Sequence, residues 1–273
     1  MLQCGNLNSA HLPVLIGIMC AITFGATYVM AVYRGDVDAV LPYISDTAID
    51  RPESCIFAQM LNAVAFLCLL VMYLRYRMVH ELTRDSDWLI ERVNTGSMLI
   101  GCASVFGLTI VANFQVSAVF VVHISGALLH FSCAVIYGCM HAWLTCRMCP
   151  LYNGYRICVV RCSLAVAALV LFVCSTIFGC IASVTYHHRF LAEANLPADD
   201  WNAPGYRIHT LSAICEWLLA ITNVAFLMSY SRDFEKLRSE VHVQALVQHM
   251  DDRPVDVTRH SATLIHHALV DES

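Results

Sequence analysis

Leu41-Pro42-Tyr43-Ile44-Ser45-Asp46-Thr47-Ala48-Ile49-Asp50-Arg51-Pro52-Glu53-Ser54-Cys55-Ile56-Phe57 lies between two long apolar runs, about residues 12–33 and 54–76. Each run is long enough to cross a bilayer, so the loop part of this stretch is expected to face water at a membrane surface. Pro42 fixes an extended or turning backbone beside apolar Leu41, Tyr43 and Ile44. Ser45, Asp46 and Thr47 bond their own backbone and close a turn. Pro52 suits the first turn of the next helix, where a missing N–H costs nothing. Glu53 then sits beside the positive end of that helix. A well-made helix start would need no more than this. The density of special residues also marks Pro42, Ser45, Asp46, Pro52 and Glu53 as a candidate motif on the luminal side.

Working outward, further apolar runs cover about residues 93–112, 116–140, 162–186 and 207–230. The chain has 273 residues, 58% hydrophobic and 14% charged. A soluble domain carries about one quarter charged residues. The fold class is therefore all-α: a polytopic six-transmembrane-helix bundle spanning residues 1–234. The first run lacks a basic leading segment and a small-x-small cleavage site, so it is expected to stay as a helix. Only Asn113, Phe114 and Gln115 separate the third and fourth spans, which predicts a tight helical hairpin. A second loop on the Leu41–Phe57 side covers residues 187–206. Residues 235–273 form a polar tail. Leu237, Val241, Val243, Leu246 and Val247 suggest an amphipathic helix to about Met250, with disorder beyond Asp251.

Six spans put both termini on one side. Of the 16 Lys and Arg residues, all but Arg34, Arg51, Arg189 and Arg207 fall on that side. The positive-inside rule then predicts cytosolic termini and a luminal or exterior Leu41–Phe57 loop. The net charge of -5 gives no basic face for nucleic acid. There is no phosphate loop, no zinc-finger pattern and no Asn-x-Ser/Thr glycosylation site.

The 14 cysteines are scattered through apolar runs, where they act as small hydrophobes. Only Cys55 and Cys180 fall near the outer boundary, and a disulfide between them would have to meet strict geometry. Cys146 and Cys149, with Cys158 and Cys162, are spaced too irregularly for a zinc site. Juxtamembrane cysteines beside Arg147, Arg156 and Arg161 fit S-palmitoylation better, with free thiols as the simpler state. No metal and no cofactor are expected.

Polar residues inside spans are costly and often functional. Here they are Asn62, His123, His130 and Glu216. With about 1.5 Å of rise per residue, Glu216 lies roughly 13 Å below the outer boundary, and Asn62 and His123 lie at similar depth. They are expected to form one polar layer where spans two, four and six meet. The layer either fixes helix register by hydrogen bonds or serves a ligand, lipid or proton. Glu216 must find a partner or remain protonated. Gly96, Gly101, Gly107 and Gly126 permit close helix contact. No nucleophile–base pair and no paired carboxylates can be seen, so catalysis has little support.

The loop motif resembles the DNA-damage-regulated autophagy modulator (DRAM) family, within the FRAG/DRAM/SFK superfamily. So do Met72-Tyr73-Leu74-Arg75-Tyr76-Arg77 at the end of span two, and His123, Gly126, Ala127 and Tyr137 in span four. Cys215-Glu216-Trp217, Ser229-Tyr230 and Asp233-Phe234 complete the resemblance, which covers about Pro13 to Phe234. It implies a six-helix protein of lysosomal, endosomal or other endomembranes that promotes autophagy and can affect apoptosis. Its expected partners are membrane lipids and autophagy or lysosomal membrane proteins. The function expected is a non-catalytic modulator. The alternative, from broader relatives, is GPI-anchor or phosphoinositide lipid remodelling at the Golgi or plasma membrane.

Overall fold

The computed structural model describes residues 2–7, 9–37, 39–84, 87–192, 205–235 and 239–243, with backbone alone for 2–7, 186–192 and 239–243. Six helices are long and apolar enough to cross a membrane. They are α1 (His11–Arg34), α2 (Glu53–Leu82), α3 (Trp88–Asn113), α4 (Phe120–Arg147), α5 (Tyr155–Ala192) and α6 (Tyr206–Met228), and a single turn, α7 (Ser231–Phe234), follows α6. This is a multi-pass membrane protein, and lipid is its solvent.

Four of the six helices outrun their apolar stretches at both ends, whereas α4 starts only at Phe120 and α6 stops at Met228. α2 continues six residues past Tyr76, and α3 starts at Trp88 rather than Val93. Hydropathy detects only the part in hydrocarbon, whereas the helical ladder continues into water until a cap stops it. Asp87 supplies one such cap, its carboxylate accepting from the Leu89 N–H at 3.0 Å. Gly35 ends α1 with φ +78°, and its N–H bonds back to Val32 at 3.1 Å. The connection between α3 and α4 is six residues, Phe114 to Val119, rather than three.

Each helix packs against the next, and α1 closes the bundle against α6. The closest approach is between α3 and α4. A Cβ on Gly107 would lie 2.5 Å from the His130 backbone nitrogen, and one on Gly126 would lie 2.5 Å from Ile110 Cγ2. Separately, β1 (Leu2–Leu7) pairs antiparallel with β2 (Ser239–Val243). Within the amphipathic helix expected from Leu237 to about Met250, the described residues Ser239–Val243 are a strand. Alternating Val241 and Val243 serve a strand period as well as a helix period, so pattern alone could not decide. The rest of the tail and most of the second loop lie outside the described residues.

Candidate functional site

The Leu41–Asp50 segment packs onto the bundle through its inner side, while Leu41 and Asp50 stay exposed. Ile44, Thr47 and Ala48 are at most 5% exposed, and the segment seals one end of the bundle. Thr47 donates to the Ile44 carbonyl at 2.7 Å and lies 3.0 Å from the Thr27 hydroxyl on α1. This anchors a 3-10 turn, Asp46–Ala48. From α6, Trp217 Nε1–H donates to the Pro42 carbonyl at 2.9 Å. Tyr43 meets His209 edge to face, with ring centroids 4.7 Å apart. Pro52 caps α2, as expected, but Glu53 is buried at 1% exposure with Arg34 Nε 3.2 Å from its Oε1. That contact is an ion pair without hydrogen-bond geometry.

Beneath this cap, residues from all six spans enclose a cavity of about 110 Å³. Its wall is mainly apolar, with Ile44, Phe57, Leu61, Met72, Phe131 and Phe226 among its residues. The polar residues on it are Ser45, Ser104, His123, His130, Glu216 and Asn223. The histidines are engaged elsewhere. His123 Nδ1–H donates to the Phe114 carbonyl at 2.6 Å, and His130 Nδ1–H donates to the Ser104 carbonyl at 3.0 Å. Glu216 takes a backbone hydrogen bond from Ile44 in the cap. Its Oε2 is buried without a partner, and so is Asn223 Nδ2.

The expected polar layer is therefore only partly assembled. His123 and Glu216 share the cavity wall; Asn62 does not. Asn62 instead trades two amide hydrogen bonds with Asn113, at 3.0 and 3.1 Å. That pair ties α2 to the end of α3. No hydrogen bond joins Asn62, His123 and Glu216 to one another among the described residues. Depth along a helix was readable from spacing, but rotation about its axis was not. Asn223 escaped the sequence reading, although it lies seven residues after Glu216 and so on the same helix face.

The four cysteines of the α4–α5 turn do converge. Cys146 Sγ and Cys162 Sγ are 3.4 Å apart, and Cys158 bonds the Thr145 carbonyl at 3.5 Å. Cys146 is exposed, whereas Cys158 is buried. Cys55 and Cys180 are free thiols. Among the described residues no group of three or more His, Cys, Asp or Glu side chains could hold a metal.

At the far end of the bundle lies a cluster that sequence reasoning missed. Arg75 and Arg161 are both 0% exposed. Arg75 Nη1 donates to Asp233 Oδ2 at 3.0 Å, and Arg161 Nη2 donates to the same oxygen. Arg161 also bonds Thr145 Oγ1 and the Ser229 side chain and carbonyl. Both guanidinium groups lie over the Tyr230 ring, at 5.2 and 4.7 Å. Arg75, Tyr230 and Asp233 stood out in the sequence only as parts of the family resemblance, with nothing to show that they meet.

The cap carries a pH dependence of its own. Burial pushes the Asp46 carboxyl up to about 6, against an opposing backbone hydrogen bond from Tyr43. An unfolded aspartate titrates near about 3.9. The folded state thus prefers the proton, so this contribution is complete below about pH 4 and is lost as pH rises through about 6. Hydrogen exchange across residues 41–50, corrected for intrinsic rates, should be slower at pH 5 than at pH 7 by roughly tenfold. Asp46→Asn should remove the difference. Equal protection at both pH values would contradict the buried placement of Asp46.

A family model described as "Frag1/DRAM/Sfk1/Cwh43P N-terminal domain" matches residues 8–237. The chain belongs to this family. The chain is 34% identical over 264 residues to DNA damage-regulated autophagy modulator protein 2 of Bos taurus, covering 94% of this chain and 96% of the relative. It is 32% identical over 264 residues to the Homo sapiens protein 2, covering 94% and 96%. The Homo sapiens DNA damage-regulated autophagy modulator protein 1 is 32% identical over 243 residues, covering 88% and 97%. No solved structure matches. These relatives are named modulators rather than enzymes. The capped, Glu216-bearing cavity is thus a feature of a Frag1/DRAM chain, and the matched region spans every residue that builds it.

Proposed function

We propose that this chain is a non-catalytic modulator of autophagy at lysosomal or endosomal membranes, with an effect on cell death, and that it works by holding a lipid inside the bundle. The observation that carries the reading is the mainly apolar cavity inside the bundle with Glu216 Oε2 unpartnered on its wall. A cavity of this kind stays empty only if it is purely apolar, and a partnerless carboxyl asks for a donor. The names of the relatives supply the process.

In cells lacking the protein, the wild-type chain should restore autophagic flux. Glu216→Gln should reach the same membrane and fail to restore it. Full rescue by the glutamine variant would reduce Glu216 to a structural hydrogen-bonding group. The lipid-remodelling alternative makes a different prediction, altered GPI acyl chains in the same cells, and that profile would displace the present reading. The excess of Lys and Arg on the side of the termini supports a cytosolic location for both termini and a luminal Leu41–Asp50 cap. Protease protection of terminal tags in intact vesicles would reverse this orientation.

A further inference from the structure

We propose that the cavity accepts a long-chain amine, its ammonium group on Glu216 beneath the cap and its chain running toward Met72 and Phe226. This rests on the reading of the cavity as a lipid site and names the class of lipid.

The charge balance at the capped end argues for a cation. The carboxyl group that acts electrostatically on Glu216 is Asp46, a second acid rather than a base. The other acid at this end, Glu53, already has Arg34 as its partner. Glu216 lies on the cavity wall and Asp46 sits beside the Ser45 end of that wall, with no Lys or Arg bonded to either among the described residues. A fatty acid would add a third carboxylate there. An alcohol can donate only one hydrogen bond there. An ammonium group offers three donors, and its charge favours the ionised form of the Glu216 carboxyl. It can bond the free Oε2 of Glu216 while the Ile44 backbone bond is kept. The rest of the wall is mainly apolar and extends down the bundle to Met72 and Phe226, which suits a hydrocarbon chain. Asn223 Nδ2 offers a second donor roughly 10 Å further in by helix rise, where an oxygen on the body of the ligand can accept.

The test uses the purified full chain in detergent micelles. Photoactivatable hexadecylamine and photoactivatable hexadecanoic acid, with the reactive group at the same chain carbon, are crosslinked and the labelled residues mapped. The expected result is that the amine labels cavity residues about tenfold more than the acid, the ratio expected for one charge-assisted hydrogen bond. Unlabelled hexadecylamine should compete, and Glu216→Gln should bring the amine down to the level of the acid. Equal labelling by the two probes on the wild-type chain overturns the amine assignment while leaving the cavity as a lipid site. So does undiminished amine labelling of Glu216→Gln. Labelling confined to lipid-facing residues such as Phe66 and Val121, with neither probe in the cavity, overturns the lipid-site reading as well. The comparison of probes on the wild-type chain does not depend on the variant folding.

Discussion

Asp233→Ala should lower the thermal midpoint of the purified protein by roughly 10 °C, from a loss of about 3–5 kcal/mol. The reason is the imbalance it creates. Two guanidinium groups with no solvent exposure share this single carboxylate. Removing it leaves two like charges buried beside each other, softened only by the Tyr230 face and by Thr145 and Ser229. Arg75 is the more exposed to this loss, because its Nε and Nη2 have no partner to begin with. Arg75→Met in the Asp233→Ala background removes one orphaned charge and should recover part of the midpoint. A midpoint within about 2 °C of wild type for Asp233→Ala would mean that the cluster does not clamp α2, α5 and α7 together.

The second large effect is steric. Gly107→Val should destabilise the bundle by about 3 kcal/mol or more, beyond the usual 1–3 kcal/mol of overpacking. A Cβ at this position meets the backbone of α4: His130 N at 2.5 Å, Gly126 O at 2.8 Å and His130 Cα at 2.9 Å. Backbone atoms cannot rotate away, so the helices must separate along their whole seam. Contrast Gly25 on α1, where an added Cβ meets nothing within 4 Å. Gly25→Ala should be neutral or gain up to about 1 kcal/mol from helix propensity. Thermal unfolding of the pair in one detergent checks both. Equal midpoints would show that α3 and α4 are not in contact at Gly107.

Much of the membrane fold was legible because the bilayer imposes a period and a length that survive without tertiary information. Six apolar runs, the helix start at Pro52 and Glu53, and the close-packing role of Gly107 and Gly126 all follow from local rules. Intramembrane Glu216 could be marked as costly for the same reason. What local rules could not supply was direction around a helix axis and the fold of the loops. Asn62 has the depth of Glu216 but faces Asn113. The Leu41–Asp50 segment reads as polar, yet its own turn and the Trp217, Thr27 and Tyr43–His209 contacts bury it as a cap. Arg75 near the end of span two and Arg161 beside the linker cysteines carry no local sign of burial, because an arginine at a membrane edge is ordinarily found on the aqueous side. Only the convergence of three segments on Asp233, distant from both in sequence, supplies the countercharge that allows their burial. The residues themselves determined that six helices cross the membrane and which polar groups are expensive. Tertiary structure decided which of those groups meet, because a pairing between helices depends on rotations that no single segment specifies.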